Sequence, residues 1–125
     1  VKISAVVDFF GPTDLIDFYN NPTINEIPLL MMEVTGGTPA TKRDLYEKSS
    51  PLNYVTAQSP PTIILQGGAD ILVPARQSEM LRDKLNSLGV VNEYVFYPNE
   101  NHGWGGANLT DSFNKIVGFL KENVK

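Results

Sequence analysis

The chain has 125 residues, of which 42% are apolar, and its formal net charge of −4 at pH 7 goes with a sequence pI of about 4.8. This length fits one ordinary domain, the apolar share argues against disorder, and the lack of a basic cluster argues against nucleic acid or an anionic membrane as a partner. The absence of cysteine excludes disulfides, thiolate catalysis and cysteine-based metal sites, and no apolar run is long enough to predict a membrane span. The composition leaves the compartment open.

The first segment predicts a strand followed by a capped helix. Residues 3–10 are almost continuously apolar, which is typical of a strand buried on both faces of a parallel sheet. Thr13 or Asp14 is expected to cap a short helix that begins at Leu15. Because the sequence starts inside this strand, we expect the chain to be a part of a longer domain.

The next segment predicts short helices joined by loops. Residues 27–34 (IPLLMMEV) favour a helix that ends at Gly36-Gly37, and residues 41–48 favour a second one. A proline-rich connection follows over residues 51–61. We interpret residues 13–58 as an irregular, cap-like helical segment within a single domain that spans residues 1–125.

The second half of the chain alternates strands with helices. We expect strands over residues 61–66 and 92–97, a helix over residues 75–88, and a final helix capped by Thr110. Two apolar stripes are expected to be buried, one on each helix: Leu81, Leu85 and Leu88, and then Phe113, Ile116, Val117, Leu120 and Val124. The alternation predicts an α/β fold with three layers and a mostly parallel sheet.

Two residues that could carry chemistry follow the predicted strands. Asp70 comes four residues after Gln66, and His102 comes five residues after Tyr97. Because parallel strands end at the same edge of a sheet, one strand-helix-strand step should bring the carboxylate close to the imidazole. An aspartate that orients a histidine base is the usual support of a serine or cysteine nucleophile, and in α/β-hydrolases the acid precedes the histidine in the chain.

Each of these residues also has a purely structural interpretation. Asp70 could end a strand in a turn, and a single histidine in a loop is often a surface or packing residue. Trp104 could line the leaving-group side of a site or simply pack. For residues 29–32 core packing is favoured over the lining of an acyl pocket, and Asp14 is favoured as a helix cap.

The stretch from Ser49 to Trp104 resembles the C-terminal part of α/β-hydrolase esterases, above all the acetyl-esterase and feruloyl-esterase-like group, followed by prolyl-oligopeptidase-type catalytic domains. In those families a strand runs into His-Gly-x-x-Asp-x-x-Val-Pro, which this sequence matches as follows: Gly67, Asp70, Val73 and Pro74. The family's Gly-x-x-His-Gly is matched at His102-Gly103. The resemblance implies that Asp70 and His102 are the acid and the base of a Ser-Asp-His triad.

The sequence departs from the family pattern at three points. Gln66 stands where the pattern has a histidine outside the triad, which we expect to alter only local hydrogen bonding. The nucleophile elbow Gly-x-Ser-x-Gly is missing, and so is the His-Gly-Gly oxyanion loop. We therefore expect the chain to be the C-terminal portion of an α/β-hydrolase fold that lacks the nucleophile half.

The resemblance implies hydrolysis of small carboxylic esters by the longer protein, with no organic cofactor and no metal. Two partners follow from this expectation, the ester substrate and the N-terminal half of the same protein, and the 125 residues alone should be inactive. Three alternatives remain: a serine peptidase of the prolyl-oligopeptidase type, a non-catalytic relative, and a flavodoxin-like binding module. The last is disfavoured because Asp8 is the only acidic residue near the end of the first strand.

An association between copies of the chain is also expected. If the strand over residues 3–9 lies at an edge of the sheet, its unpaired backbone groups form a template for a second chain. The competing outcome is a monomer in which the helical segment 24–34 folds over this edge.

Overall fold

The computed structural model describes all residues from 1 to 125 as three strands and five α-helices. Their bounds are β1 Val6–Phe9, α1 Leu15–Asn20, α2 Glu26–Thr35, α3 Arg43–Lys48, β2 Thr62–Gly67, α4 Ala75–Ser87, β3 Asn92–Tyr97 and α5 Gly106–Asn123. A short 3-10 helix, Pro51–Tyr54, lies in the connection that was expected to be a loop. None of these helices is both long enough and apolar enough to cross a membrane.

The sheet is parallel throughout and has the order β1-β2-β3. Val6 pairs with Thr62 at the start of the β1–β2 register, and Thr62 pairs with Asn92 at the start of the β2–β3 register. Because β2 is the central strand, all six of its residues are buried. The predicted parallel sheet is therefore confirmed, and the central strand carries the apolar pattern that such a sheet requires.

The sheet lies between two helices, which gives the predicted three layers. On one face Ile64 packs with Leu81 and Leu85 of α4. On the other face Ile63 and Leu65 pack with α5, in a cluster that also contains Val95, Tyr97, Ile116 and Phe119. Alternate residues of β2 thus supply the cores on the two faces of the sheet, as the period of a strand requires.

The first strand is shorter and more exposed than its sequence predicts. β1 covers only Val6–Phe9, and the side chains of Val6 and Val7 are each 36% exposed. The expectation of burial on both faces was wrong because β1 pairs with β2 alone and forms an edge of the sheet.

Helices α1, α2 and α3 form a separate small core. Phe18, Ile27, Met31 and Tyr46 are buried together with Val73, which lies in the loop after β2. The helix α2 therefore packs over this loop and not over β1, which contradicts the competing outcome expected for residues 24–34. The predicted core packing of residues 29–32 holds for Met31 but is wrong for Leu29 and Leu30, which are 66% and 56% exposed.

The link between β1 and α4 depends on polar contacts. Asp14 caps α1 as predicted, since its Oδ1 accepts hydrogen bonds from the backbone N–H groups of Ile16 and Asp17. The fully buried Gln77 of α4 accepts two more with its Oε1, from the N–H groups of Thr13 at 2.9 Å and Asp14 at 2.8 Å. These bonds fix the loop after β1 to the N-terminal end of α4.

The predicted start and the predicted buried stripe of α5 were both wrong. The helix begins at Gly106, so Thr110 is an internal residue and not a cap. The residues buried on this helix are Ser112, Ile116 and Phe119, whose spacing of four and then three puts them on one stripe. Three residues expected in the stripe are exposed instead, namely Phe113 (53%), Val117 (48%) and Val124 (42%), the last of which follows the end of α5. Leu88 of the α4 stripe is 36% exposed because α4 ends at Ser87.

Candidate active site

The loops that follow β2 and β3 meet at one edge of the sheet, where they bring Asp70 and His102 together. Nδ1 of His102 lies 2.8 Å from Oδ2 of Asp70. The Asp70 side chain is fully buried, whereas that of His102 is 31% exposed. The two loops therefore form a buried acid beside a histidine that solvent can reach.

The carboxylate of Asp70 is held by four donors. Its Oδ1 accepts the backbone N–H groups of Leu72 and Val73, each at 2.9 Å. Its Oδ2 accepts a hydrogen bond from Nε2 of Gln66 at 3.3 Å, in addition to the contact with His102. These bonds compensate for the cost of burying the carboxylate and fix its orientation.

Gln66 belongs to this site, although the sequence predicted only a change in local hydrogen bonding at this position. Its side chain is fully buried, its Oε1 accepts a hydrogen bond from the Ser78 hydroxyl at 2.6 Å, and its Nε2 also donates to the carbonyls of Gly67 and Val73. The sequence did contain a sign of this role, because Gln66 stands where the family pattern has a histidine. Its amide joins the end of β2 to the loop that carries the acid.

The loop that carries His102 is held against the loop that carries Asp70. The side-chain Oδ1 of Asn101 accepts the N–H groups of Ile71 at 3.0 Å and His102 at 2.8 Å. The carbonyl of Glu100 accepts the N–H group of Ala69 at 2.9 Å. The family pattern leaves the position of Asn101 unspecified, and the structure shows this residue to be a bridge between the two loops.

The crossing of the two loops requires a glycine at position 67. A Cβ atom at Gly67 would collide with the carbonyl oxygens of Glu100 and Asn101. The family pattern predicted this glycine, and the close approach of the loop after β3 is the physical reason for it.

Because an ionised carboxylate only accepts hydrogen bonds, the proton between the two side chains belongs to Nδ1 of His102. That tautomer leaves Nε2 as the basic nitrogen, and Nε2 makes no hydrogen bond to another side chain or to the backbone. The pair is therefore arranged to accept a proton at Nε2 from a group placed next to it. None of the chain's own serines bonds to His102.

Trp104 lies beside this pair but turns its polar atom inward. Its Nε1 donates to the hydroxyl of Ser112 at 2.8 Å, and its ring centroid lies 5.0 Å from that of Tyr97. These contacts account for Trp104 as a packing residue, and its role in substrate binding stays a prediction.

An apolar groove of about 360 Å³ lies elsewhere, between β1 and α4. Val6, Val7, Thr62, Leu81 and Leu85 are among its lining residues, and neither Asp70 nor His102 lines it. The groove contains the hydroxyl of Ser59 and the carboxyl of Asp8 but no histidine, so it offers no base comparable to His102. The chain has no group of three or more histidine, aspartate or glutamate side chains arranged to hold a metal ion.

A parallel sheet between two helices, with an acid after its central strand and a histidine after the next, is the C-terminal portion of an α/β-hydrolase fold. The family follows from the sequence match: the chain belongs to the BD-FAE family, whose model matches residues 1–85. The predicted fold class and the predicted resemblance are both confirmed, and the flavodoxin-like alternative is wrong.

Similar proteins include hydrolases of esters and of peptides. Esterase LipQ of Mycobacterium tuberculosis is 27% identical over 82% of this chain and 24% of its own length. A puromycin-hydrolyzing peptidase of Mycobacterium tuberculosis has a TM-score of 0.85 at 26% identity, over 98% of this chain and 18% of the other. A truncated carbohydrate esterase from gut microbiota has a TM-score of 0.77 at 26% identity, over 98% of this chain and 44% of the other. The chain spans about a quarter of the length of the esterase.

Proposed function

We propose that the complete protein hydrolyses carboxylic esters, and that Asp70 and His102 are the acid and the base of its Ser-Asp-His triad. The observation that carries the proposal is the 2.8 Å contact between Nδ1 of His102 and Oδ2 of Asp70, which leaves Nε2 of a partly exposed imidazole available. Membership of the BD-FAE family and the similarity to an esterase and a carbohydrate esterase support the choice of esters.

The mechanism assigns one step to each residue. A serine from outside residues 1–125 attacks the ester carbonyl while Nε2 of His102 takes its proton, and His102 then gives this proton to the leaving alcohol. Asp70 holds the imidazole in the correct tautomer and stabilises the imidazolium that forms. A water molecule then attacks the acyl-enzyme while His102 takes a proton from it, and His102 returns this proton to the serine oxygen as the acyl–serine bond breaks and the acid product leaves.

The test compares matched variants of the complete protein on activated short-chain esters. His102→Ala is expected to lower kcat by several orders of magnitude, and Asp70→Asn by up to about 10⁴-fold, because the tautomer of the base is then wrong. Asp83→Asn is the matched control, since Asp83 is exposed and pairs only with its neighbour Arg82. Unchanged turnover in the His102→Ala protein would overturn the proposal.

Two further measurements complete this test. A fluorophosphonate probe is expected to label the complete protein on a serine, whereas residues 1–125 alone should show neither labelling nor ester hydrolysis. Cleavage of aminoacyl arylamides in preference to esters would favour the peptidase alternative, which the similarity to the puromycin-hydrolyzing peptidase keeps open.

A further inference from the structure

Phe10 has a backbone conformation that a bulky residue rarely adopts. Its φ is 42°, and it is the only residue other than glycine with a positive φ. Such a conformation is an outlier for a residue with a large side chain, and it persists only where the surrounding structure fixes it. At this position the Phe10 N–H donates to the carbonyl of Leu65, and the next N–H, that of Gly11, donates to Oδ1 of Asp8.

The unusual backbone changes the side of the sheet on which the Phe10 ring lies. Asp8 lines the groove next to α4, whereas Phe9 packs with the cluster on the α5 side. Strict alternation would therefore send Phe10 to the α4 side. The ring instead packs with Phe9, His102 and Trp104, so the left-handed turn moves it to the side of the candidate base.

The ring of Phe10 lies directly against the imidazole. The two centroids are 4.3 Å apart at an interplanar angle of 58°, and the Phe10 ring also meets Trp104 edge-on, with a centroid distance of 5.4 Å. Trp104 is itself fixed by its hydrogen bond to Ser112. The Phe10 ring thus contacts both an anchored tryptophan and the imidazole of His102.

We propose that Phe10 is a positioning residue for His102, and that its strained backbone serves to press its ring against the imidazole. The hydrogen bond to Asp70 restrains His102 at Nδ1 only, so the ring could still tilt about this bond. The contact with Phe10 limits that tilt and keeps Nε2 aimed at the proton it must take. This inference rests on the proposed function, because it assigns a role relative to the base of that reaction.

The test uses the complete protein with four substitutions. Phe10→Leu removes the aromatic ring but keeps an apolar side chain, Phe10→Tyr keeps the ring, and Phe10→Gly removes the ring in a residue that tolerates a positive φ. Phe113→Leu is the matched control, since Phe113 is 53% exposed on α5. We expect kcat to fall about 10- to 100-fold in the Leu and Gly variants with KM nearly unchanged, as for a misplaced catalytic group.

The Tyr variant and the control should keep kcat within about threefold of the unsubstituted protein. An independent readout is the far-downfield proton resonance of Nδ1–H, assigned to His102 by its loss in His102→Ala. It should broaden in the Leu and Gly variants, because a mobile imidazole exchanges this proton faster, and it should persist in the Tyr variant. Thermal unfolding identifies any variant that fails to fold. If Phe10→Leu does not fold, Phe10→Gly still provides the test, because glycine adopts the positive φ without strain.

The outcomes separate this inference from the proposed function. If His102→Ala keeps full turnover, the proposed function fails. If His102→Ala is inactive but Phe10→Gly and Phe10→Leu keep both the full kcat and a sharp resonance, only the positioning role of Phe10 is wrong.

Discussion

At the scale of single residues, the half-buried Asp8 has one carboxylate oxygen whose burial is not compensated. Its Oδ1 accepts the N–H of Gly11 at 3.1 Å, but its Oδ2 is buried without a hydrogen-bond partner. Burial raises the pKa of this carboxyl above the usual value of an aspartate, and the hydrogen bond from Gly11 opposes the shift only in part. The folded protein therefore binds this proton more tightly than the unfolded chain does.

This difference predicts a pH dependence of stability. The contribution of Asp8 to the free energy of unfolding is fully present below the unfolded pKa and is lost as the pH rises through the higher folded pKa. Asp8→Asn has no such loss, and it keeps the acceptor for Gly11. In urea unfolding, we expect the free energy of unfolding of the Asn variant to rise relative to that of the unsubstituted protein as the pH increases across that window. If the difference between the two free energies does not change with pH, the raised pKa of Asp8 is contradicted.

The two residues of the candidate pair were predictable from the sequence, whereas their supports were predictable only in part. Asp70 and His102 each follow a strand, and the sequence shows that directly. The role of Gln66 depends on how its amide meets the Asp70 carboxylate and the Ser78 hydroxyl, and the sequence alone does not show that these groups converge on one side chain. Nothing in the sequence marks Phe10, because a phenylalanine with a positive φ has no local pattern and is held by its tertiary contacts.

At the scale of elements, the loop after β3 crosses the end of β2 so closely that this place does not tolerate a larger side chain. Gly67→Ala would place a methyl group against the carbonyl oxygens of Glu100 and Asn101, so the loop that carries His102 must move. We expect a loss of about 1–3 kcal/mol in the free energy of unfolding, which is typical of overpacking.

The matched control for this change is Gly118→Ala. Gly118 lies in α5 with open space around it, so a methyl group there should stabilise the helix by up to about 1 kcal/mol. Thermal unfolding of the two variants should therefore shift in opposite directions. Equal shifts would show that the close approach of the two loops is not what requires Gly67.

The bounds of the helices and strands were predicted accurately where turn residues or a glycine mark their ends. The bounds of β3 were predicted correctly and those of α4 to within one residue, since a polar turn or a glycine stands at their ends. The start of α5 was missed because Gly105 and Gly106 are typical of loops, yet here they lie at the N-terminal end of the helix. The length of β1 was overestimated because apolar residues alone do not show where pairing with β2 stops.

At the scale of the whole molecule, the free edge of β1 remains the main candidate for self-association. Val6 and Val7 are each 36% exposed on this edge, and the apolar groove of about 360 Å³ runs beside them. We propose that two copies of the 125-residue chain pair along β1, because an exposed apolar edge strand is a template for another chain. Helix α2 does not block this edge.

A single charge should prevent this association. Val7→Lys adds a charge to the edge that would have to be buried between two copies, so light scattering should show a lower average mass for this variant at high concentration. Val117→Lys places the same charge on the exposed side of α5 and should not change the mass. A monomeric unsubstituted chain at the same concentration would rule the association out.

The carboxamide of Gln66 also determines how many groups in this region respond to acidity. The family pattern places an imidazole at position 66, and such a ring would titrate next to the buried acid. An amide neither gains nor loses a proton over the physiological range, and His102 is the only histidine in the chain. As the surroundings become more acidic, the hydrogen bond from Gln66 to Asp70 therefore keeps the same donor.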